Sequence, residues 1–307
     1  MTVHSSVIVK TPKVLSHRAG LWWGLLGVTA FSFTVPLTRV ATGGFSPLFI
    51  GSARAVIAAV LAIIALALTR QRFPNKAQWG RLAIVAGGVV VGFPMLSTYA
   101  LTTAPASHGA VVIGLLPAAT GAAAVLRGKE RVSGLFWLFA GLGAIAVVAF
   151  AALQNGGLGH LGWPDLLLFS AVVAAAVGYT EGGLLARELG PWQTVSWALV
   201  LALPVMAAST AAAIAGQAPT ADPAEWAAFA YLAVVSMFLG FFAWYRGLAI
   251  GPMAQVSQVQ LAQPVMSIAW AGLILHEQLT WSTLAGGAIV ILCAGLAVRT
   301  RLDRKTP

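Results

Sequence analysis

The sequence predicts an all-α integral membrane protein with ten transmembrane helices, arranged as two inverted five-helix repeats. Three observations predict it: apolar stretches of spanning length recur along the chain, basic residues fall in alternate loops, and one segment aligns with another at a constant offset. The 307 residues are 59% hydrophobic and only 8% charged, with a mean hydropathy of +0.87. Soluble domains are about 25% charged, so this chain cannot cover a surface that faces water.

The apolar stretches match the ~20 residues that a helix needs to cross ~30 Å of hydrocarbon. Turn-forming residues such as Gly43-Gly44 and Pro74-Asn75 separate them. Every connection is short, which predicts that no soluble domain is inserted. The predicted spans one to ten are residues 19–38, 46–68, 80–102, 106–126, 133–153, 164–185, 193–214, 226–248, 253–275 and 282–299.

The chain divides at these spans into four predicted segments. Residues 1–18 form a cytoplasmic N-terminal segment without the apolar stretch of a signal peptide. Residues 19–153 and 154–299 form the two five-helix repeats, and residues 300–307 form a basic cytoplasmic tail. Cys293 is the only cysteine, which excludes an internal disulfide and a cysteine-based metal cluster. No cofactor and no metal site are predicted.

The basic residues set the predicted orientation. With the N-terminus in the cytoplasm, the inside segments hold sixteen of the eighteen Lys and Arg residues. The two others are Arg39, at the outer end of span one, and Arg54, within span two. This positive-inside bias predicts that both termini are cytoplasmic in the inner membrane. Because the net charge of +10 is divided among loops, the expected partners are the lipid bilayer and a small-molecule substrate, and not nucleic acid.

Part of the second half of the chain repeats part of the first half. Residues 79–130 align without a gap on residues 226–277, at an offset of 147. The matched pairs are Trp79 with Trp226, Leu101 with Leu248, Pro105 with Pro252, Pro117 with Pro264, and Glu130 with Glu277. Because five spans is an odd number, the second repeat enters the membrane in the opposite sense. Such inverted repeats are typical of alternating-access carriers; a duplicated scaffold without transport is the alternative.

At these residues the chain resembles the EamA type of the drug/metabolite transporter superfamily. The P-x11-P-x12-E pattern and the segments VLRGKERVSG and LILHEQLTW carry the resemblance, which extends from about Ala19 to Arg299. The arrangement is most similar to the YddG-type exporters of aromatic amino acids. The resemblance implies a central cavity lined by spans one, three, four, six, eight and nine.

Span nine carries the clearest candidate binding residues. Ser257, Gln260, Gln263 and Ser267 fall within an arc of roughly 120° on an otherwise apolar helix. Polar groups at membrane depth usually face protein or water, and Pro264 in the same arc frees a backbone carbonyl. We interpret this arc as cavity lining; hydrogen bonding between helices is the alternative.

Further candidates lie on other spans. Phe238, Phe241 and Tyr245 form an aromatic stripe on span eight, which either stacks on an apolar substrate or packs against neighbouring helices. The remaining candidate cavity residues are Tyr99 in span three, Ser32 in span one and Tyr179 in span six.

Two charges within spans are candidate contacts. Arg54 either binds a substrate carboxylate or extends its side chain to the outer interface. Glu181 either couples transport to protons, pairs with Arg187, or extends its side chain to the inner interface. The small multidrug members of the superfamily use a glutamate in their first helix, and span one has no acidic residue.

Together these features predict an alternating-access transporter that exports small amphipathic metabolites, with aromatic or apolar amino acids as the first candidates. Export of drugs or quaternary cations is the alternative within the same superfamily. A membrane-embedded enzyme is disfavoured, because the sequence shows no catalytic residues, that is, no nucleophile with its base. Proton coupling, substrate exchange and oligomeric state stay open at this point.

Overall fold

The structure, a computed structural model, describes residues 17–128, 133–154, 162–250, 256 and 259–302. Within these ranges the chain is almost entirely helical and contains no β-strand. Eight helices are long and apolar enough to cross a membrane, and the two shorter apolar helices Ala262–Leu275 and Trp281–Ala297 supply spans nine and ten. The predicted ten-helix, all-α membrane fold is confirmed.

Several spans are interrupted, so that sixteen helical segments make up the ten spans of the described chain. In order of the spans they are His17–Ser32 with Thr34–Ala41; Pro47–Leu68; Lys76–Val85, Ala86–Gly92 and Phe93–Ala100; Ala106–Ile113 with Leu116–Gly128; Gly134–Gln154; Trp163–Leu185; Pro191–Gly216; Pro223–Tyr231, Leu232–Leu239 and Gly240–Ile250; Ala262–Leu275; and Trp281–Leu302.

Local chemistry explains where the spans begin. Span two starts after Ser46, whose hydroxyl accepts a hydrogen bond from the Phe49 amide. Spans three and eight start with capping boxes, Asn75 with Gln78 and Asp222 with Glu225. In each box a side chain satisfies an amide that the helix itself leaves without a partner.

The interruptions occur at matching places in the two halves. Residues 86–92 of span three and 232–239 of span eight are π-helical, and they coincide at the offset of 147. Spans four and nine each break just before a proline, Pro117 or Pro264. A proline cannot donate to the carbonyl four residues earlier and clashes with it, which explains both breaks.

The packing of the spans follows the same correspondence. Span two packs on span seven, span four on span nine, and span five on span ten. Span one packs on the last part of span eight, just as span six packs on span three. Large apolar side chains such as Ile64, Leu142 and Leu292 are exposed on the outer surface, where a soluble protein would rarely carry so many but a bilayer solvates them.

Candidate functional site

A cavity lies between spans one, two, three, six, eight and nine. The space between these side chains is about 410 Å³ if the part open to solvent is included, but only about 20 Å³ of it can hold the centre of a water molecule. That room suffices for one or two water molecules, so the helices are closed around the cavity in this conformation. A metabolite enters only if the spans separate.

One side of the cavity is aromatic. Phe31 and Phe241 lie with their ring centroids 4.8 Å apart, and Tyr179 lies 5.9 Å from Phe241. Phe93 and Met237 extend this wall. Rings and a thioether give a polarisable apolar surface that suits an aromatic or branched side chain.

Four polar side chains complete the lining. The hydroxyls of Thr34 and Ser236 form a hydrogen bond of 2.7 Å across spans one and eight. The Arg54 guanidinium, 1% exposed, donates from Nη2 to Thr98 Oγ1 at 3.3 Å. Gln263 lines the same cavity, and its Oε1 has no hydrogen-bond partner within the described part of the chain.

The structure brings four sequence-predicted residues together in the cavity, namely Gln263, Phe241, Tyr179 and Arg54. Arg54 is buried, so its side chain does not extend to the interface. The lining includes span two, through Arg54, where the family resemblance implied span four.

Gln260 lies close to this group in sequence but is not part of the lining. Its side chain is buried, and neither of its amide atoms has a hydrogen-bond partner among the residues that the structure describes. Ser257 lies outside the described residues.

Ser32 and Ser267 meet in a contact between spans one and nine. Pro36 cannot donate to the carbonyl of Ser32, and Ser267 Oγ donates to that carbonyl at 2.7 Å. The Trp270 Nε1 donates to Ser32 Oγ at 3.0 Å. In this conformation both serines join helices and do not line the cavity.

The remaining predicted aromatic residues lie apart from the cavity. Phe238 packs on Phe242, with ring centroids 4.5 Å apart, and Tyr245 is fully buried 5.5 Å from Phe241. Tyr99 is 42% exposed on the surface.

Sequence reasoning did not select Phe31, Ser236 or Met237 as candidates. Ser236 and Met237 lie in the π-helical segment of span eight, where the extra residue per turn rotates the helix face. The polar Ser236 next to the aromatic stripe could have been noticed in the sequence. Its direction could not be predicted, because a regular spacing of 100° per residue does not hold in a π-helical segment.

Ion pairs tie spans together at the basic end, the end of the bundle that carries Arg81 and Arg127. Glu181 of span six pairs with Arg81 of span three and, at 2.9 Å, with Arg127 of span four. These are the partners of Glu181, where the sequence suggested Arg187. Arg81 also pairs with Glu188 at 2.5 Å, and its hydrogen bond lowers the pKa of that carboxyl below the usual value.

The acidic end, which carries Asp165 and Glu277, is tied differently. Glu277, which follows span nine, accepts hydrogen bonds from the amides of Ala106 and Ser107 at 2.7 and 2.9 Å, so it caps span four. His108 of span four pairs with Asp165 of span six at 2.6 Å. Both ends of the bundle are therefore linked across helices, in agreement with the narrow cavity.

Known proteins match nearly the whole length of the chain. A family model described as the EamA-like transporter family matches residues 18–152 and 162–299. An uncharacterized transporter, YdeK of Bacillus subtilis (strain 168), is 42% identical over 287 residues, which cover 90% of this chain and 96% of that protein.

A more distant relative and a solved structure also match most of the chain. An uncharacterized transporter of Archaeoglobus fulgidus is 27% identical, over 91% of this chain and 96% of that protein. A solved crystal structure superposes with a TM-score of 0.65 at 20% identity and covers 95% of this chain and 100% of its own. At that identity the superposition shows the fold alone.

Proposed function

The chain belongs to the EamA-like transporter family, and from this premise we propose that it exports small amphipathic metabolites by alternating access, with aromatic or apolar amino acids as the first candidates. It is a multi-pass membrane transporter; the identity of its substrate is the part that we propose.

The observation that carries the proposal is the closed cavity itself. It combines an aromatic wall, formed by Phe31, Tyr179 and Phe241, with the few polar groups of Thr34, Ser236 and Gln263. Ligand sites are typically apolar pockets with a small number of placed polar groups. An amino acid with an apolar side chain has both kinds of surface.

Alternating access is supported by the correspondence between the halves. The cavity lies between spans of both proposed repeats, 19–153 and 154–299. The π-helical segments and the proline breaks interrupt regular hydrogen bonding at matching positions in both repeats. Such interruptions are places where a helix bends easily, so either half can open while the other stays closed.

Orientation and coupling are further parts of the proposal. The positive-inside bias supports cytoplasmic termini and an inner-membrane location, so the basic end faces the cytoplasm. Two arginines neutralise Glu181 in this conformation, which supports an ion-pair role over a proton-carrying role for this carboxylate. Exchange of substrates is therefore the coupling mode that we favour.

Uptake of labelled amino acids by vesicles that contain the purified protein tests the proposal. Saturable uptake of phenylalanine, tryptophan or leucine, reduced by excess unlabelled compound and absent from protein-free vesicles, is expected. Vesicles preloaded with unlabelled amino acid are compared with empty vesicles, each with and without a proton gradient, because exchange requires internal substrate and proton coupling requires the gradient. Absence of uptake for all three, in protein shown to be folded, contradicts the amino-acid assignment.

Export of quaternary cations is the second candidate, because an aromatic wall also attracts cations. Efflux of tetraphenylphosphonium from the same vesicles tests it directly. Efflux of this cation without any amino-acid uptake would favour the second candidate over the first.

A further inference from the structure

We infer that Arg54 binds the carboxylate of the transported molecule and that Gln263 accepts a hydrogen bond from its ammonium group, so that the cavity selects α-amino acids and rejects quaternary cations. The inference deepens the proposed function and rests on it. It begins from Arg54, for which the described part of the chain supplies no counter-ion.

The Arg54 side chain is deeply buried but makes few hydrogen bonds within the described chain. Its side chain is 1% exposed, its Nε has no hydrogen-bond partner in the described ranges, and its Nη2 reaches only a neutral hydroxyl, Thr98 Oγ1. A guanidinium has five N–H donors and stays protonated in proteins. Most of its hydrogen-bonding capacity therefore remains available toward the cavity that it lines.

The described acidic residues are all engaged elsewhere. Asp165 pairs with His108, Glu181 with two arginines, and Glu188 with Arg81. Asp222 and Glu225 cap span eight, and Glu277 caps span four. None of these carboxylates contacts Arg54, so the described part of the chain supplies no anion to balance it.

A buried charge without a partner destabilises a protein strongly. Such a residue is retained where a ligand provides the missing charge, because binding then gains a charge-assisted and bidentate contact. The fork of the guanidinium matches the two oxygens of a carboxylate. A quaternary cation in the same cavity would instead be repelled.

Gln263 is the second polar group of the cavity, and it would recognise the ammonium group of the ligand. Gln263 Oε1 is a buried acceptor without a partner in the described chain, and it lines the same cavity as Arg54. An ammonium group is a pure donor and satisfies this acceptor. The aromatic wall then receives the side chain of the amino acid.

A ligand series with one constant ring tests this assignment: phenylalanine, 3-phenylpropionate and phenethylamine, each added to the purified protein. Phenylalanine and 3-phenylpropionate should raise the thermal midpoint of the wild type, and phenethylamine, which lacks the carboxylate, should not. Arg54→Met should weaken the binding of both carboxylates about 100-fold, whereas Arg54→Lys, which keeps the charge, should keep part of it. Gln263→Leu should weaken phenylalanine alone.

A matched control is Arg246→Met, because Arg246 is also an arginine of a spanning helix but is exposed, over the ring of Trp23. This variant should bind the carboxylates as the wild type does. Equal stabilisation of the wild type by phenethylamine would overturn the inference, as would unchanged carboxylate binding in Arg54→Met.

A second measurement needs no ligand. Since an apolar side chain removes an unbalanced buried charge, Arg54→Met should raise the thermal midpoint of the ligand-free protein, and Arg246→Met should not. A lower midpoint for Arg54→Met would show that the arginine stabilises the fold, which overturns the inference.

Failure of this inference is distinguishable from failure of the proposed function. Transport of tetraphenylphosphonium but of no carboxylate would overturn the role of Arg54 and leave a carrier. Arg54-dependent binding of both carboxylates, without uptake of any solute, would support the site and contradict transport.

Discussion

Gln260 and Gln263 lie about one helical turn apart on span nine, and each buries amide atoms that have no partner in the described chain. A buried polar group that makes no hydrogen bond costs free energy, whereas an apolar side chain of similar shape does not. Neither side chain therefore stabilises this conformation through its amide, and for Gln263, which lines the cavity, this favours a role in binding.

We predict that Gln263→Leu lowers the rate of substrate uptake roughly tenfold without lowering the thermal midpoint. The control is Gln193→Leu, because the Gln193 amide oxygen also lacks a partner among the described residues but lies at the start of span seven and outside the cavity. Uptake by Gln263→Leu at the wild-type rate would contradict the binding role.

Ser267 illustrates the opposite case, a candidate whose hydroxyl already has a protein partner. Ser267→Ala removes its hydrogen bond to the carbonyl of Ser32, and we expect a loss of about 1 kcal/mol in the free energy of unfolding. The relative affinities for phenylalanine and leucine should stay as in the wild type. A change in this preference, measured by competition, would indicate that Ser267 contacts the substrate.

At the scale of elements, the contact between spans three and six decides how closely the cavity can close. Gly88 lies against Gly178 and Ala174, and a Cβ on Gly88 would stand 3.0 Å from the Cα of Gly178. Small residues of this kind let helix backbones approach closely in membranes.

We predict that Gly88→Ala lowers the free energy of unfolding by about 1–3 kcal/mol, the usual cost of an overpacked contact. Its neighbour provides the control, because a Cβ on Gly87 would meet nothing within 4 Å. Gly87→Ala should be neutral or slightly stabilising. Thermal unfolding in detergent measures both variants. Equal midpoints would show that the close contact between spans three and six does not contribute to stability.

At the scale of the whole molecule, contacts between helices are found at both ends of the bundle. Glu277 connects the end of span nine to the start of span four at the acidic end, and Glu181 connects spans three, four and six at the basic end. A carrier that alternates must break one set of links at a time.

We predict that Glu277→Ala opens the acidic end. In a Cys293→Ala background, a cysteine introduced by Met237→Cys in the cavity wall should react several-fold faster with a membrane-impermeant maleimide added on that side. Ser46→Ala is the control, because the Ser46 hydroxyl caps its own span and the hydrogen bond described for it joins no second span. Equal labelling rates in the two variants would contradict a gating role for Glu277.

Much of the architecture follows from the sequence alone. Hydropathy and spanning length are properties of consecutive residues, so the ten spans are visible before any contact is known. The freed backbone carbonyl expected at Pro264 is also a local effect, because a proline acts within its own helical turn, and Pro117 stands at the matching break of span four. Arg54 and Gln263 stand out as candidates because polar groups are rare at membrane depth.

The tertiary structure decided which of these residues share one cavity. Thr34 meets Ser236 across 202 positions of the chain, and Ser267 meets Ser32 across 235. Such contacts depend on the rotation of each helix about its axis, and the π-helical segments change that rotation in spans three and eight. Hydropathy and charge along the chain thus determined the spans and their expected orientation. Packing between distant helices decided that Arg54 is buried beside an aromatic wall, with no counter-ion among the described residues.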